Sequence, residues 1–146
     1  MLTCLKLTDA AALALHSVDY ITAHPGRLIS NQEIADNLEA STHHLAKVHQ
    51  WLVRAGILMA VRGPHGGFRL ARDAKDIRLI DVIEAVEGPY LPSNCLLGRT
   101  DCLRESCILG ELTKEINRKV LSFFMDKTAA DLHDSLEPPS STPSCH

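Results

Sequence analysis

Residues 30–71 read SNQEIADNLEASTHHLAKVHQWLVRAGILMAVRGPHGGFRLA, and a change of rhythm inside them decides the fold. Ser30 opens a run in which Ile34, Ala35 and Leu38 share one helical face, and Glu33 three residues on predicts a capping box. After the Glu39-Ala40 turn, Ser41 is a second N-cap. Leu45, Val48 and Leu52 then mark an inward stripe that ends at Gly56, placed as a C′ glycine. Two short helices around a tight turn, the second with a polar start, make a helix-turn-helix. From residue 57 the helical period is lost. ILMAVR (57–62) and FRLA (68–71) are β-prone runs separated by GPHGG, which predicts a hairpin. A hairpin directly after a recognition helix is a wing. The expected fold is therefore mostly α, a winged helix-turn-helix with a two-stranded wing.

Working outward, LTDAAALALHSVDYITA (7–23) reads as a first helix capped by Thr8 or Asp9, with Ala11, Ala14, Leu15, Val18 and Ile21 facing inward and the HPGR turn ending it. Beyond the wing, IRLIDVIEAVEG (77–88) predicts a short helix with Ile80, Ile83 and Val86 on one side and Gly88 at its end. Residues 108–126 form a long helix whose apolar positions, among them Leu109, Leu112, Ile116, Val120 and Phe123, recur every three or four residues. Nothing upstream is left to cover that stripe, so it is expected to pack on the same stripe of a second copy, with packing inside its own chain as the alternative. Residues 128–136 add a further short helix, and EPPSSTPSCH (137–146) has the composition of a disordered tail. The expected division is 1–88 as the DNA-binding head, 89–107 as a cysteine loop, 108–136 as the dimerisation region and 137–146 as the tail.

Composition sets limits. The 146 residues are 45% hydrophobic, 23% charged and only 4% aromatic, so the core is aliphatic. No apolar run reaches the roughly 18 residues that span a bilayer, and no basic segment precedes an apolar one at the start, which leads us to expect a cytoplasmic protein with no membrane partner. The net charge of −3 argues against a nucleic-acid binder until it is mapped. Residues 42–78 hold seven Lys or Arg against two Asp, a balance of +5 that leaves −8 for the remainder, and they also hold His43, His44, His49 and His65. A basic patch on an acidic body steers a protein onto phosphates, although a solvated mixed surface has the same composition. Ser41, Thr42, His43, His44 and Lys47 occupy the end of the second helix that meets base edges when such a helix enters a major groove. Arg62 and Arg69 flank the wing tip, and its glycines let the backbone approach a phosphate or a minor groove. Polar helix starts and glycine-rich turns also occur with no ligand, so the pattern alone leaves both readings open.

The remaining chemistry is in Cys95, Cys102 and Cys107, with six and then four residues between them. Structural zinc usually recruits cysteine pairs two to four residues apart, whereas wider gaps suit a loop wrapped around an iron–sulfur cluster. Three thiols leave one coordination position for another group, and His16 and Asp9 on the first helix are candidates. Without metal, the same thiols form a disulfide or a sulfenic acid. Cys4 and Cys145 lie near the termini. No phosphate loop, HExxH motif or paired nucleophile and base is present, so an enzyme is not expected.

VRGPHGGFRLARDAKDIRLIDVIEAVEG (61–88) followed by the three-cysteine loop resembles the Rrf-two family, the group of iron–sulfur and nitric-oxide-sensitive regulators of IscR/NsrR type. KLTDAAALALHSV (6–18) and SFFMDKTAADL (122–132) are similar to the same group. The resemblance implies a homodimer with a winged helix-turn-helix in each subunit, long crossing dimerisation helices, a double-stranded DNA operator and a cluster, 2Fe–2S or 4Fe–4S, that tunes operator binding. It implies Cys95, Cys102 and Cys107 as ligands. Relatives with a histidine three residues after the third cysteine are not matched, since Gly110 stands there. Relatives that take an aspartate from the partner's first helix are not matched either, since Ala12 stands there. His16 matches a histidine used by some relatives. Ser41, His43, His44 and Lys47 fall where relatives contact DNA, and Arg62, Gly63, Pro64, His65 and Gly66 match the minor-groove wing, with His65 in place of a common glycine. The leading expectation is thus a repressor-like transcription regulator controlled by an iron–sulfur cluster. Alternatives are a metal-free thiol-sensing regulator and a small iron–sulfur electron carrier or cluster-assembly protein.

Overall fold

The computed structural model describes residues 7–93, 95 and 107–136. Helix α1 (Asp9–Thr22) starts on Thr8, whose hydroxyl accepts from the Ala11 N–H, so Thr8 rather than Asp9 is the cap. Helices α2 (Asn31–Asn37) and α3 (Thr42–Arg54) start on Ser30 and Ser41, each serine oxygen accepting from the backbone N–H three residues on. The capping box at Ser30 is half made. Glu33 turns away from the cap to accept from Tyr20 Oη at 3.1 Å and Arg27 at 2.9 Å, which ties α2 to the end of α1. Between α2 and α3, Glu39 takes the left-handed conformation at φ 51°, and Gly56 takes it after α3 at φ 73°.

Strands β1 (Leu58–Val61) and β2 (Gly67–Leu70) pair antiparallel, Leu58 opposite Leu70 and Val61 opposite Gly67. A single bridge from Ile29 to Phe68 sets a third segment beside β2, with bonds of 2.8 and 2.9 Å. After a 3-10 turn (Ala74–Asp76) come α4 (Leu79–Glu87), α5 (Ile108–Asp126) and α6 (Ala129–Leu136). The start of α6 is bonded back to the segment before α4, Ala129 N–H to the Ile77 carbonyl at 2.8 Å.

Two apolar clusters hold these elements. The larger gathers Val18, Ile21, Ile34, Leu45, Val48 and Leu52 beneath the helix-turn-helix, closed by Ile29, Ile57, Ile77 and Val82. The smaller joins Leu79, Ile80 and Ile83 to Phe124 of α5. Helix α4 is therefore buried on two sides: Val82 enters the first cluster while Ile80 and Ile83 enter the second. The one-sided stripe read from its sequence understates this, because a nine-residue helix wedged between two layers has little outside. Helix α5 is the opposite case. Of its nineteen residues only Phe124 is buried, and Ile108, Leu109, Leu112, Phe123 and Met125 are exposed. Among the described residues, no helix is long and apolar enough to cross a membrane.

Candidate nucleic-acid interface and cysteine loop

The polar start of α3 is presented outward. Ser41, Thr42, His43, His44 and Lys47 are all exposed, while Leu45 and Val48 between them are buried, so burial of the apolar stripe turns the others to solvent. Asn31 holds this end in place: its Nδ2 donates to the Thr42 carbonyl at 3.0 Å, and its Oδ1 is buried with no partner among the described residues. Sequence reasoning missed Asn31, since an asparagine in a first helical turn is unremarked in any pattern.

The wing tip is equally open. Arg62, Gly63, Pro64 and His65 are exposed, and Gly66 is half-buried. Gly66 and Gly67 have a steric reason to be glycine. A Cβ on Gly66 would sit 2.2 Å from the Val61 carbonyl oxygen, and one on Gly67 would sit 2.6 Å from that of Ile29. Both distances are far inside van der Waals contact with backbone. This gives Gly66 a packing role independent of any nucleic acid.

The basic window divides by what its charges face. Arg78 is bonded to Asp81 at 2.9 Å, Arg72 lies 3.9 Å from the same carboxylate, and Lys75 is 3.6 Å from Asp73. Lys47, Arg54 and Arg62 make no ion pair among the described residues. The uncommitted cations thus lie on α3 and the wing, and the compensated ones lie beyond it. His49 drops out of the patch altogether. It is fully buried, its Nε2 is 3.1 Å from Ser17 Oγ and its ring lies tilted against Phe68 with centroids 4.6 Å apart. Burial lowers its pKa to about 4, so it is neutral at pH 7. Its role is to pin α3 to α1 and to the wing.

Of the three clustered cysteines, Cys95 and Cys107 are described, both half-buried, with Cys107 at the N-cap of α5. Cys102 lies outside the described residues, as do Cys4, Cys145 and the 137–146 tail. His16 is exposed on α1, beside a shallow hollow shared with Leu38 and Glu39 of the helix-turn-helix corner. Asp9 is exposed at the start of α1. Among the described residues, no three Cys, His, Asp or Glu side chains gather as a metal site, so neither His16 nor Asp9 completes one with Cys95 and Cys107 within this chain.

This architecture has close counterparts. Residues 7–135 match the family model of the Rrf2 iron-dependent transcriptional regulators. The chain belongs to the Rrf2 family. Two relatives of this Rrf2 protein carry the name of HTH-type transcriptional regulators. BadM of Rhodopseudomonas palustris is 40% identical over 87 residues, 60% of this chain and 56% of that protein. The other, from Aquifex aeolicus, is 31% identical over 128 residues, 86% of this chain and 89% of that protein. The match to BadM thus takes in little more than half of its length. Among solved structures, CymR, the global cysteine regulator of B. subtilis, superposes with a TM-score of 0.75 at 24% identity, covering 91% of this chain and 99% of that one. T. potens IscR gives 0.73 at 22%, covering 92% and 90%. The oxidized form of Staphylococcus aureus CymR gives 0.73 at 21%, covering 92% and 100%. At these identities the likeness carries the fold alone, a winged helix-turn-helix, while the family match places the chain among transcriptional regulators.

Proposed function

We propose that this Rrf2 protein is a homodimeric repressor whose grip on its DNA operator follows the state of the Cys95–Cys102–Cys107 loop, with the thiols themselves as the sensing groups. The uncommitted Lys47 and Arg62 on α3 and the wing carry the DNA half of this reading. Ser41, Thr42, His43 and His44 would face base edges from a major groove. Arg62, Gly63, Pro64, His65 and Gly66 would follow the backbone into the adjacent minor groove. Residues 1–88 form the reading head, 89–107 the sensing loop and 108–136 the dimerisation region, whose exposed α5 face meets its copy.

The thiol reading is supported by the half-buried Cys95 and Cys107 and by the likeness to an oxidized CymR. In such a sensor one thiolate attacks a peroxide oxygen and becomes a sulfenic acid as hydroxide leaves. A second thiol displaces the sulfenic oxygen as water, closing a disulfide at the cost of two electrons and two protons from the pair. A second reading, an iron–sulfur cluster of 2Fe–2S or 4Fe–4S type, is favoured by the third cysteine, the family description and the likeness to IscR. Cys95, Cys102 and Cys107 would hold it, with His16 or Asp9 arriving from the partner subunit. Such a cluster would supply a redox-active centre.

The test starts from protein isolated without air and a duplex recovered by selection from a random-sequence library. The expected result is colourless, iron-free protein whose Kd for that duplex changes about five-fold or more on hydrogen peroxide treatment. Cys102→Ala should abolish the change. Iron, sulfide and a visible band near about 400 nm, lost in Cys102→Ala, would transfer the sensing role to the cluster. A Kd indifferent to peroxide and to iron alike would remove the sensing role from the loop.

A further inference from the structure

The segment that leads into Cys95 has no regular secondary structure, yet it is tied to the helical body at three points. Asn117, half-buried on α5, donates from Nδ2 to the Ser93 carbonyl at 2.7 Å, and its Oδ1 accepts from the Tyr90 hydroxyl at 3.3 Å. Ser93 in turn closes on Cys95: its Oγ accepts from the Cys95 N–H at 3.2 Å and lies 3.0 Å from the Cys95 carbonyl. The Tyr90 N–H donates to Glu84 of α4 at 2.8 Å, and the Tyr90 ring packs on the cluster of Leu79, Ile80, Ile83 and Phe124. One carboxamide therefore bridges two points of the chain that carries a sensing cysteine. Through Tyr90 it reaches α4, which packs directly on α1 and on the recognition helix α3.

A chemical event at Cys95 can change DNA affinity only if the two loop states make different contacts with the body that carries α3. An untethered loop would absorb the event in its own backbone freedom. We propose that Asn117 is the positioning residue that transmits the state of Cys95 to α4 and the DNA-reading head, acting through Ser93 and Tyr90. This rests on the loop being the sensor, and it adds which side chain carries the signal. Ser93 is two residues from Cys95, so a new covalent or metal bond at that sulfur pulls on the Asn117–Ser93 bond. Tyr90, held by the same amide, moves against Ile80 and Ile83.

The decisive measurement compares wild type with Asn117→Ala and with Tyr90→Phe, which removes only the hydroxyl. Each is assayed for the ratio of Kd values, peroxide-treated to reduced, on the selected duplex, and for the rate at which iodoacetamide alkylates Cys95 in the reduced protein. The expected outcome is a wild-type ratio of about five or more that falls toward one in both variants, while the reduced Kd stays within about two-fold. Cys95 alkylation should accelerate several-fold in Asn117→Ala as its segment is released. A wild-type ratio kept by both variants, with unchanged alkylation, overturns the inference and leaves the sensor reading intact. A wild-type ratio of one defeats the sensor reading itself. Should Asn117→Ala fail to fold, Tyr90→Phe carries the comparison, and an unchanged ratio there overturns the inference.

Discussion

Gly67 sits where a methyl group has no room. Its missing Cβ lets β2 lie against Ile29, and the two backbone bonds of the Ile29–Phe68 bridge depend on that approach. Gly67→Ala is expected to open the bridge and lower unfolding free energy by about 2 kcal/mol, read as a shifted urea midpoint with unchanged slope. His49, its ring tilted against the neighbouring Phe68, makes stability pH-dependent. Its folded pKa of about 4 lies below the ordinary 6.5, so between those values the folded state binds fewer protons than the unfolded one. The stabilisation is complete above pH 6.5 and is lost as pH falls toward 4, on the order of 3 kcal/mol in all. His49→Gln should flatten the stability profile across that window. An unchanged acid limb would show that other groups govern it.

At the scale of elements, the cations of the basic window that lie on α3 and the wing, Lys47, Arg54 and Arg62, have no ion-pair partner among the described residues. Phosphate contacts release counterions, so Lys47→Ala and Arg62→Ala should each reduce the slope of log K against log salt by about one. The compensated Lys75 offers the contrast: Lys75→Ala should leave the slope within error, since its charge already faces Asp73. Equal slopes for all three variants would place the DNA elsewhere. Much of this region was legible beforehand. Serine caps, a C′ glycine and a glycine-rich tip are short-range devices, so the helix-turn-helix and its hairpin fell where residues 30–71 put them. His49 was not legible. It counts as one more basic residue until the Ser17 and Phe68 contacts, thirty-two and nineteen positions away, reveal that it is buried.

For the whole molecule, α5 poses the largest unmet demand. A helix about 28 Å long buries one residue in its own chain and leaves Leu109, Leu112 and Phe123 in water. In the proposed dimer a second copy of the same face would satisfy that demand and would also space two recognition helices for two half-sites of a duplex. Wild type is expected to sediment as a dimer and Leu112→Glu as a monomer, with weakened binding to a two-half-site duplex. A Leu112→Glu protein that stays dimeric would move the interface off this face. Leu112 is remote from the α4 contacts of Val120 and Phe124, so the variant should keep its fold, as circular dichroism would verify.

By itself, the sequence determined the order and bounds of the described helices, the wing and the outward face of α3. Caps, turn residues and apolar periods act within a few positions of each other and leave their mark on the local string. Only the tertiary structure decided that α4 is buried on both sides, that His49 is uncharged, which arginines face a carboxylate, and that Asn117 holds the approach to Cys95. Those outcomes depend on residues tens of positions apart meeting at one point, where distance and burial, and not neighbouring letters, set the energy of a charge or an amide.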